Sequence, residues 1–299
     1  MSRVEIVEVG PRDGFQNIGP FIPTSNKLGF ICDLSLAGVR RIEATSFVSS
    51  RAIPQLADAR EVLGGALKID GLITQVLVPN SRNGQKALLA GARFLSYVVS
   101  VSESHNRANV LRSPADSLSD FQNLRSLAPN GTRMRFNVAT AFHCPFEGTV
   151  AVESVLRIVH RALETWPDAE ICLCDTTGRG EPLQVAALFK EAMLAFPAAS
   201  AWAMHAHDTF GHGLENACAA YEEGVRIFDA AIGGLGGCPY APGASGNVAT
   251  EKLVRCFEER GIQTGLDLAR LEPIAAVARA LPGANCETLN RSLEGSRSI

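Results

Sequence analysis

The sequence predicts an α/β protein closed into a (β/α)8 TIM barrel with additional C-terminal helices. Short β-branched runs alternate with longer helical patterns from end to end, and eight such units are present. Polar, chemically capable side chains also gather just after the strands, where barrels of this kind keep their active sites. An open doubly wound sheet is the rival arrangement, and the count of eight favours closure.

Strands are expected at residues 4–9, 39–44, 72–78, 94–101, 133–139, 170–174, 200–205 and 226–232. Helices with apolar positions three and four apart are expected between them, at 24–37, 81–90, 150–164 and 182–195 among others. Thr24, Asp116 and Thr149 suit helix N-caps, and Gly38, Gly91 and Gly224 suit helix ends. Two further helices, near 250–260 and 266–280, follow the last strand. The chain, 1–299, reads as a single barrel catalytic domain, with a glycine-rich lid loop at 233–247 and the helices of 248–299 packed on it.

Composition narrows the function classes. A net charge of −3 and no dense Lys/Arg cluster leave no basic footprint for nucleic acid. No apolar run is long enough to cross a membrane, and a strand beginning by Val4 leaves no room for a secretion signal. The eight cysteines contain no Cys-x-x-Cys pair, which points to reduced thiols and a cytoplasmic protein. Cys172 and Cys174, two apart on an apolar strand, are expected to be buried packing.

The stretch from Gly233 to Asn247 holds six glycines and two prolines in fifteen residues, so it forms neither helix nor pleated strand. Its chemistry is one thiol, Cys238, and one amide, Asn247. Other strand ends offer Arg12 and Asp13, Glu43, the group Ser102, Glu103 and His105, then Thr140 and His143, Asp175, and His205 with His207. His205 and His207, two apart on a strand, share one face and point toward the barrel axis. With Asp13 opposite and the Asn247 amide oxygen beside them, they make a divalent-metal site with positions left open. That oxygen-rich set favours Mg2+ or Mn2+, with Zn2+ possible. Arg12, a permanent cation, suits an enolate oxyanion, or it braces the barrel mouth through Glu43 or Glu8. Asp175 has two open readings, a place near the metal's water shell or a helix N-cap. Asp208 and His212 are weaker candidates, and Arg107 and Arg112 suit a solvated surface.

Three segments carry a resemblance. Val7-Glu8-Val9-Gly10-Pro11-Arg12-Asp13-Gly14-Phe15-Gln16-Asn17, His205-Ala206-His207-Asp208-Thr209-Phe210-Gly211, and the glycine loop through Ala249-Thr250-Glu251 resemble the 3-hydroxy-3-methylglutaryl-CoA lyase family. The likeness runs from about Arg3 to Gly265. It implies a metal-dependent retro-Claisen lyase that cleaves hydroxymethylglutaryl-CoA to acetyl-CoA and acetoacetate. It implies Asp13, His205, His207 and Asn247 as metal ligands, Arg12 as the enolate's partner, Glu43 as a required carboxylate, and Cys238 as a loop thiol closing over substrate. Gln16 and Asp175 match positions near the acyl part, and a base acts through Asp13 or His205. An acyl-CoA thioester is the implied partner, and a homodimer the implied assembly.

The chain departs from the family pattern at Ser50-Arg51-Ala52, at Thr177 and Arg179, and at Thr140 and His143. None of these is a ligand, and all lie on loops that shape the substrate pocket. They motivate an alternative: the same mechanism acting on another 3-hydroxy-3-methyl acyl-CoA, such as citramalyl-CoA or a longer-branched homologue. The Cys-bearing loop speaks against a condensing synthase. The full ligand set speaks against a non-catalytic CoA-binding relative.

Overall fold

In a computed structural model that describes residues 2–236 and 246–284, eight parallel strands close into a barrel. They are β1 (Glu5–Glu8), β2 (Arg41–Ser46), β3 (Ile73–Val78), β4 (Phe94–Ser100), β5 (Arg133–Ala139), β6 (Glu170–Asp175), β7 (Ala201–Ala206) and β8 (Ile227–Ala230). Neighbours pair in sequence order, and β1 closes the ring by pairing with β8 in the register Val7 to Asp229. A register shift between Glu43 and Thr45 interrupts the β2–β3 ladder. The eight predicted strands are all present, with ends moved by no more than two residues and β5 not moved at all.

The helices are α1 (Thr24–Leu36), α2 (Ala59–Ala66), α3 (Ser81–Leu89), α4 (Glu103–Val110), α5 (Pro114–Leu127), α6 (Val152–Thr165), α7 (Pro182–Ala195), α8 (Gly213–Glu222), α9 (Thr250–Glu259) and α10 (Leu268–Arg279). Helix α7 has the predicted bounds, because Pro182 fixes its first turn and Phe196 leaves helical geometry. Gly38, Gly91 and Gly224 do stop helices, with φ of 98°, 105° and 108° that only glycine takes without strain.

The predicted N-caps do not stand. Thr24 is the first helical residue after a Pro23 cap, and its hydroxyl donates to Asp58 instead. Asp116 is the third residue of α5, answering Ser113 in a reciprocal capping box. Thr149 pairs with His143 in a short hairpin, and α6 begins three residues later behind Ala151. Only Ser113 captures a free amide with its side chain; Pro23 and Ala151 make no side-chain cap.

The apolar core lies between barrel and helices. Tyr97, Phe121, Phe136 and Trp166 form its aromatic centre, with the Phe121 and Phe136 rings 4.9 Å apart and edge-on. Cys172 and Cys174 are buried as expected, and the six described cysteines are all free thiols. No described helix is long and apolar enough to cross a membrane.

The inside of the barrel is not the apolar stack usual for this fold. Arg41, Arg135, Glu170 and Asp229 point inward and are buried. Arg41 grips both oxygens of Glu170 at 2.8 Å, Arg135 lies 3.0 Å from the same carboxylate, and Arg135 donates to Asp229 at 2.7 Å. This charged floor supports the site above it.

Candidate active site

The site gathers at the C-terminal mouth of the barrel, where strands β1, β2 and β7 end. After β1 the chain enters one wide helical turn, Gly10–Gly14, in which the Phe15 amide bonds back to the Gly10 carbonyl at 2.9 Å. That turn carries Arg12 and Asp13 over the barrel axis. Glu8 anchors it from below: its carboxylate accepts from the amides of Gly10 (2.8 Å) and Ile232 (2.9 Å) and from the Thr250 hydroxyl (2.6 Å). Glu8 therefore does not pair with Arg12; Glu43 does, accepting from Arg12 Nε.

Asp13 is the hub. Its Oδ1 accepts from Arg12 Nη1 at 2.5 Å and from Gln16 Nε2 at 2.7 Å. Its Oδ2 accepts from Asn247 Nδ2 at 2.6 Å and lies 3.9 Å from His207 Nε2. Burial alone would raise the Asp13 pKa, but Arg12, His205 and His207 hold the carboxyl well below the ordinary range. Burial likewise opposes the charge on Arg12, and Glu43 with Asp13 more than restores it. The carboxylate is thus ionised and aimed.

One donor atom each from Asp13, His205 and His207 comes within 4.8 Å of the others. Strand β7 ends at Ala206, and His207 continues as an isolated bridge to Asn247, which brings the amide beside the imidazoles. Gly236 allows this approach, with φ of 96° and a Cβ position only 2.5 Å from Asn247 Nδ2. Asn247 spends its amide nitrogen on Asp13 and on the Leu235 carbonyl at 3.0 Å. Its Oδ1 is buried with no partner, and so is His207 Nδ1. Buried polar atoms are nearly always satisfied, so an orphaned oxygen beside two imidazoles and a carboxylate fits a bound cation.

His205 is held differently. Its Nδ1 lies 3.1 Å from Asp229 Oδ2, on the carboxylate that Arg135 grips from below. Burial lowers the His205 pKa, but Asp229 and then Asp13 outweigh it and the net shift is upward. His207 has no such partner; burial, the neighbouring imidazole and Arg12 push it down to about 4. Two histidines on one strand face thus carry different protonation chemistry.

The support continues around the barrel. Glu43 accepts from Gln75 Nε2 at 2.6 Å, and Gln75 Oε1 accepts from Arg41 Nη2 at 2.7 Å. Arg12, Glu43, Gln75, Arg41, Glu170, Arg135, Asp229 and His205 form one polar chain that begins and ends in the site. Sequence reasoning found its two ends and missed its middle. The available signal was a charged residue at the centre of an otherwise apolar strand, as at Arg41, Arg135, Glu170 and Asp229.

Other predicted residues make contacts of their own. Asp175 accepts from the Arg179 (3.1 Å) and Gly180 (3.0 Å) amides, so it organises the loop after β6, and burial pushes its pKa up to about 6. Asp208 accepts from the Gly213 amide at the start of α8. Ser102 caps α4, and the buried His105 ring lies 2.7 Å from Ser100 Oγ. Arg107 pairs with Glu103, Arg112 with Asp120, and His212 sits 3.9 Å from Glu215 at the surface. Thr140 adopts φ of 54°, strained for a β-branched residue. Cys238 lies outside the described residues, as do residues 237–245 of the loop expected to be a lid and the end of the chain beyond 284.

Fold and site together define a (β/α)8-barrel enzyme with a divalent-metal donor set of histidine, carboxylate and amide at its mouth. The HMGL-like family matches residues 3–278, and the chain belongs to that family. It is 41% identical to the hydroxymethylglutaryl-CoA lyase of Pseudomonas mevalonii, over 99% of this chain and 96% of that one. The cytoplasmic 3-hydroxy-3-methylglutaryl-CoA lyase of Rattus norvegicus is 42% identical over 90% of this chain and 78% of its own. An HMG-CoA lyase structure from Acinetobacter baumannii, in complex with coenzyme A and 3-methylmalate, superposes with a TM-score of 0.88 at 40% identity, covering 99% of this chain and 97% of that one.

Proposed function

We propose that this protein cleaves 3-hydroxy-3-methylglutaryl-CoA to acetyl-CoA and acetoacetate. The observation that carries the reading is the convergence of Asp13, His205 and His207 beneath Arg12, with the orphaned Asn247 oxygen beside them. A cation held by these four residues would supply Lewis acidity for ionising the tertiary hydroxyl, and the mixed donor set favours Mg2+ or Mn2+ over Zn2+.

The chain's own groups divide the remaining work. Asp13, held far below the ordinary carboxylate range, is a weak base. His205, whose Nδ1 Asp229 holds, has only Nε2 for either role, so it serves as the proton acceptor where the cation would rest on Asp13, His207 and Asn247. Loss of the hydroxyl proton turns C3 into the acetoacetate ketone as the C2–C3 bond breaks. The electron pair passes to the thioester as an enolate, whose oxygen Arg12 faces as a fixed cation. Glu43 holds Arg12 in that orientation, and Gln16 steadies Asp13 from the substrate side. A proton returned to C2 completes acetyl-CoA. Cys238 and the lid loop are assigned the exclusion of water from that enolate, with the whole chain acting as one catalytic barrel. We place it in the cytoplasm as a homodimer, apart from membrane and nucleic acid.

A second reading keeps the mechanism and changes the acyl group. Thr177 Oγ1 and His143 Nδ1 are buried without partners on the loops after β6 and β5. They offer polar contacts that a substrate with another substituent could use. A panel of 3-hydroxyacyl-CoA thioesters with Mg2+ or Mn2+, followed by acetyl-CoA release, separates the two. Fast cleavage of hydroxymethylglutaryl-CoA is expected; rapid turnover of citramalyl-CoA alone would replace the first reading by the second.

A further inference from the structure

Away from the mouth, Cys218 on α8 and Cys256 on α9 face each other with their sulfurs 3.6 Å apart. Both are free and partly exposed. Arg260, at the end of α9, directs Nη1 at Cys256 Sγ from 3.0 Å. We propose that these two residues are a peroxide-responsive dithiol that closes into an intramolecular disulfide between α8 and α9. Nothing in the lyase chemistry uses either sulfur.

The pair is asymmetric in a way that assigns roles. Arg260 sets a fixed cation against Cys256, placed to pair with the oxygen that sulfur would acquire. Cys218 has no cation in contact; burial, with Cys256 beside it, pushes its thiol up to about 11. Cys256 is therefore the attacking sulfur and Cys218 the resolving one. Cys256 thiolate attacks hydrogen peroxide, the O–O bond breaks, and Cys256 sulfenic acid forms with release of water after protonation. Cys218 then attacks the sulfenic sulfur, the S–O bond breaks, and a second water leaves as the disulfide forms. Both electrons lost by the thiols go to the peroxide.

A disulfide needs the sulfurs at about 2.05 Å, so closure takes an approach of roughly 1.5 Å, within reach of side-chain rotation. The bond would tie the helix after the His205/His207 strand to the helix after the glycine-rich segment. Thirty-eight positions separate the two cysteines, and that span contains β8 and the whole Gly233–Asn247 stretch.

The test treats the full-length protein with a small excess of hydrogen peroxide and maps peptides without reduction. A Cys218–Cys256 cross-linked peptide pair that dithiothreitol reverses is expected. In Cys218→Ser, dimedone should trap a sulfenic acid on Cys256, whereas Cys256→Ser should leave Cys218 unlabelled. Arg260→Gln should slow cross-linking on the order of tenfold. Two free sulfurs after exposed Cys32 has been oxidised, or a cross-link to Cys238 in place of the pair, overturns the proposal. Equal labelling of Cys218 in Cys256→Ser overturns the assigned roles.

Discussion

Arg12 and His207 show how much of the site rests on single side chains. Arg12 is held on one side by Glu43 and on the other by Asp13, so its guanidinium arrives already oriented. Arg12→Gln removes the cation that faces the enolate and keeps a hydrogen-bonding group. We expect kcat to fall on the order of 10²–10³-fold, the scale for one oxyanion donor, and a near-normal kcat would remove Arg12 from that role. His207 is the opposite case. Asp13 stands 3.9 Å from its Nε2, yet the His207 pKa is pushed down to about 4, and its Nδ1 has no partner. A neutral imidazole with a lone pair is what a cation needs. Loss of a mere supporting residue around a metal ligand weakens affinity about 10–100-fold, so His207→Ala should weaken Mn2+ binding at least as far in a calorimetric titration. Unchanged affinity would strike it from the ligand set. Both residues were legible in the sequence because chemistry and position coincide: each is a polar group at the end of a recognisable strand. Asp229 was hidden for the converse reason. It lies inside β8, where a strand pattern is read for its apolar residues, and its partner Arg135 is 94 positions away.

At the scale of elements, β1, β8 and α9 meet on one buried carboxylate. Glu8 receives two backbone amides and the Thr250 hydroxyl, and so fixes the turn that carries Arg12 and Asp13. Burial nevertheless raises its pKa from 4.5 to about 7, the three hydrogen bonds only partly opposing. A folded pKa above the unfolded one means the native state binds the proton more tightly. Glu8's contribution is then fully present below pH 4.5 and is lost as pH rises toward 7 and beyond, by about 3 kcal/mol. Glu8→Gln keeps an acceptor for the two amides and a donor for Thr250 while removing the titration. The mutant's unfolding free energy, measured against the parent's by urea titration, should gain on it between pH 5 and pH 8. A difference that stays flat across that range would show that Glu8 does not titrate there. The clamp explains why helix starts and strand ends were harder to read than strands themselves. Strand positions follow from local periodicity, but a terminus is settled by which nearby group reaches a free amide first, as Ser113 did for α5.

Over the whole molecule, the barrel interior is a charge balance with one place left over. Three guanidinium groups, those of Arg12, Arg41 and Arg135, face four buried carboxylates, those of Asp13, Glu43, Glu170 and Asp229, with the half-exposed Glu5 a fifth, 3.4 Å from Arg41. Among these buried pairs the excess is one negative charge, and it lies at the end where Asp13 and the two histidines converge. Desolvated charge is tolerable only when paired, so the interior itself favours a cation at the mouth. Glu170 is the keystone of this arrangement, since it grips Arg41 with both oxygens, where the half-exposed Glu5 reaches only one nitrogen at 3.4 Å, and shares Arg135 with Asp229 at the centre of the floor. Burial would raise its pKa, yet the two arginines hold it below the ordinary value. Glu170→Gln has nearly the same volume but leaves Arg41 only the half-exposed Glu5 and Arg135 only Asp229, which must then serve Arg135 more closely at the expense of His205. Removing one partner of a buried pair costs about 3–5 kcal/mol, and that loss should appear as a lower urea midpoint with an unchanged m value. Because Asp229 also orients His205, kcat should fall in the surviving folded fraction although Glu170 touches no substrate. Full stability together with full turnover would mean that the floor carries no load for the site, and that the barrel positions His205 through its backbone alone.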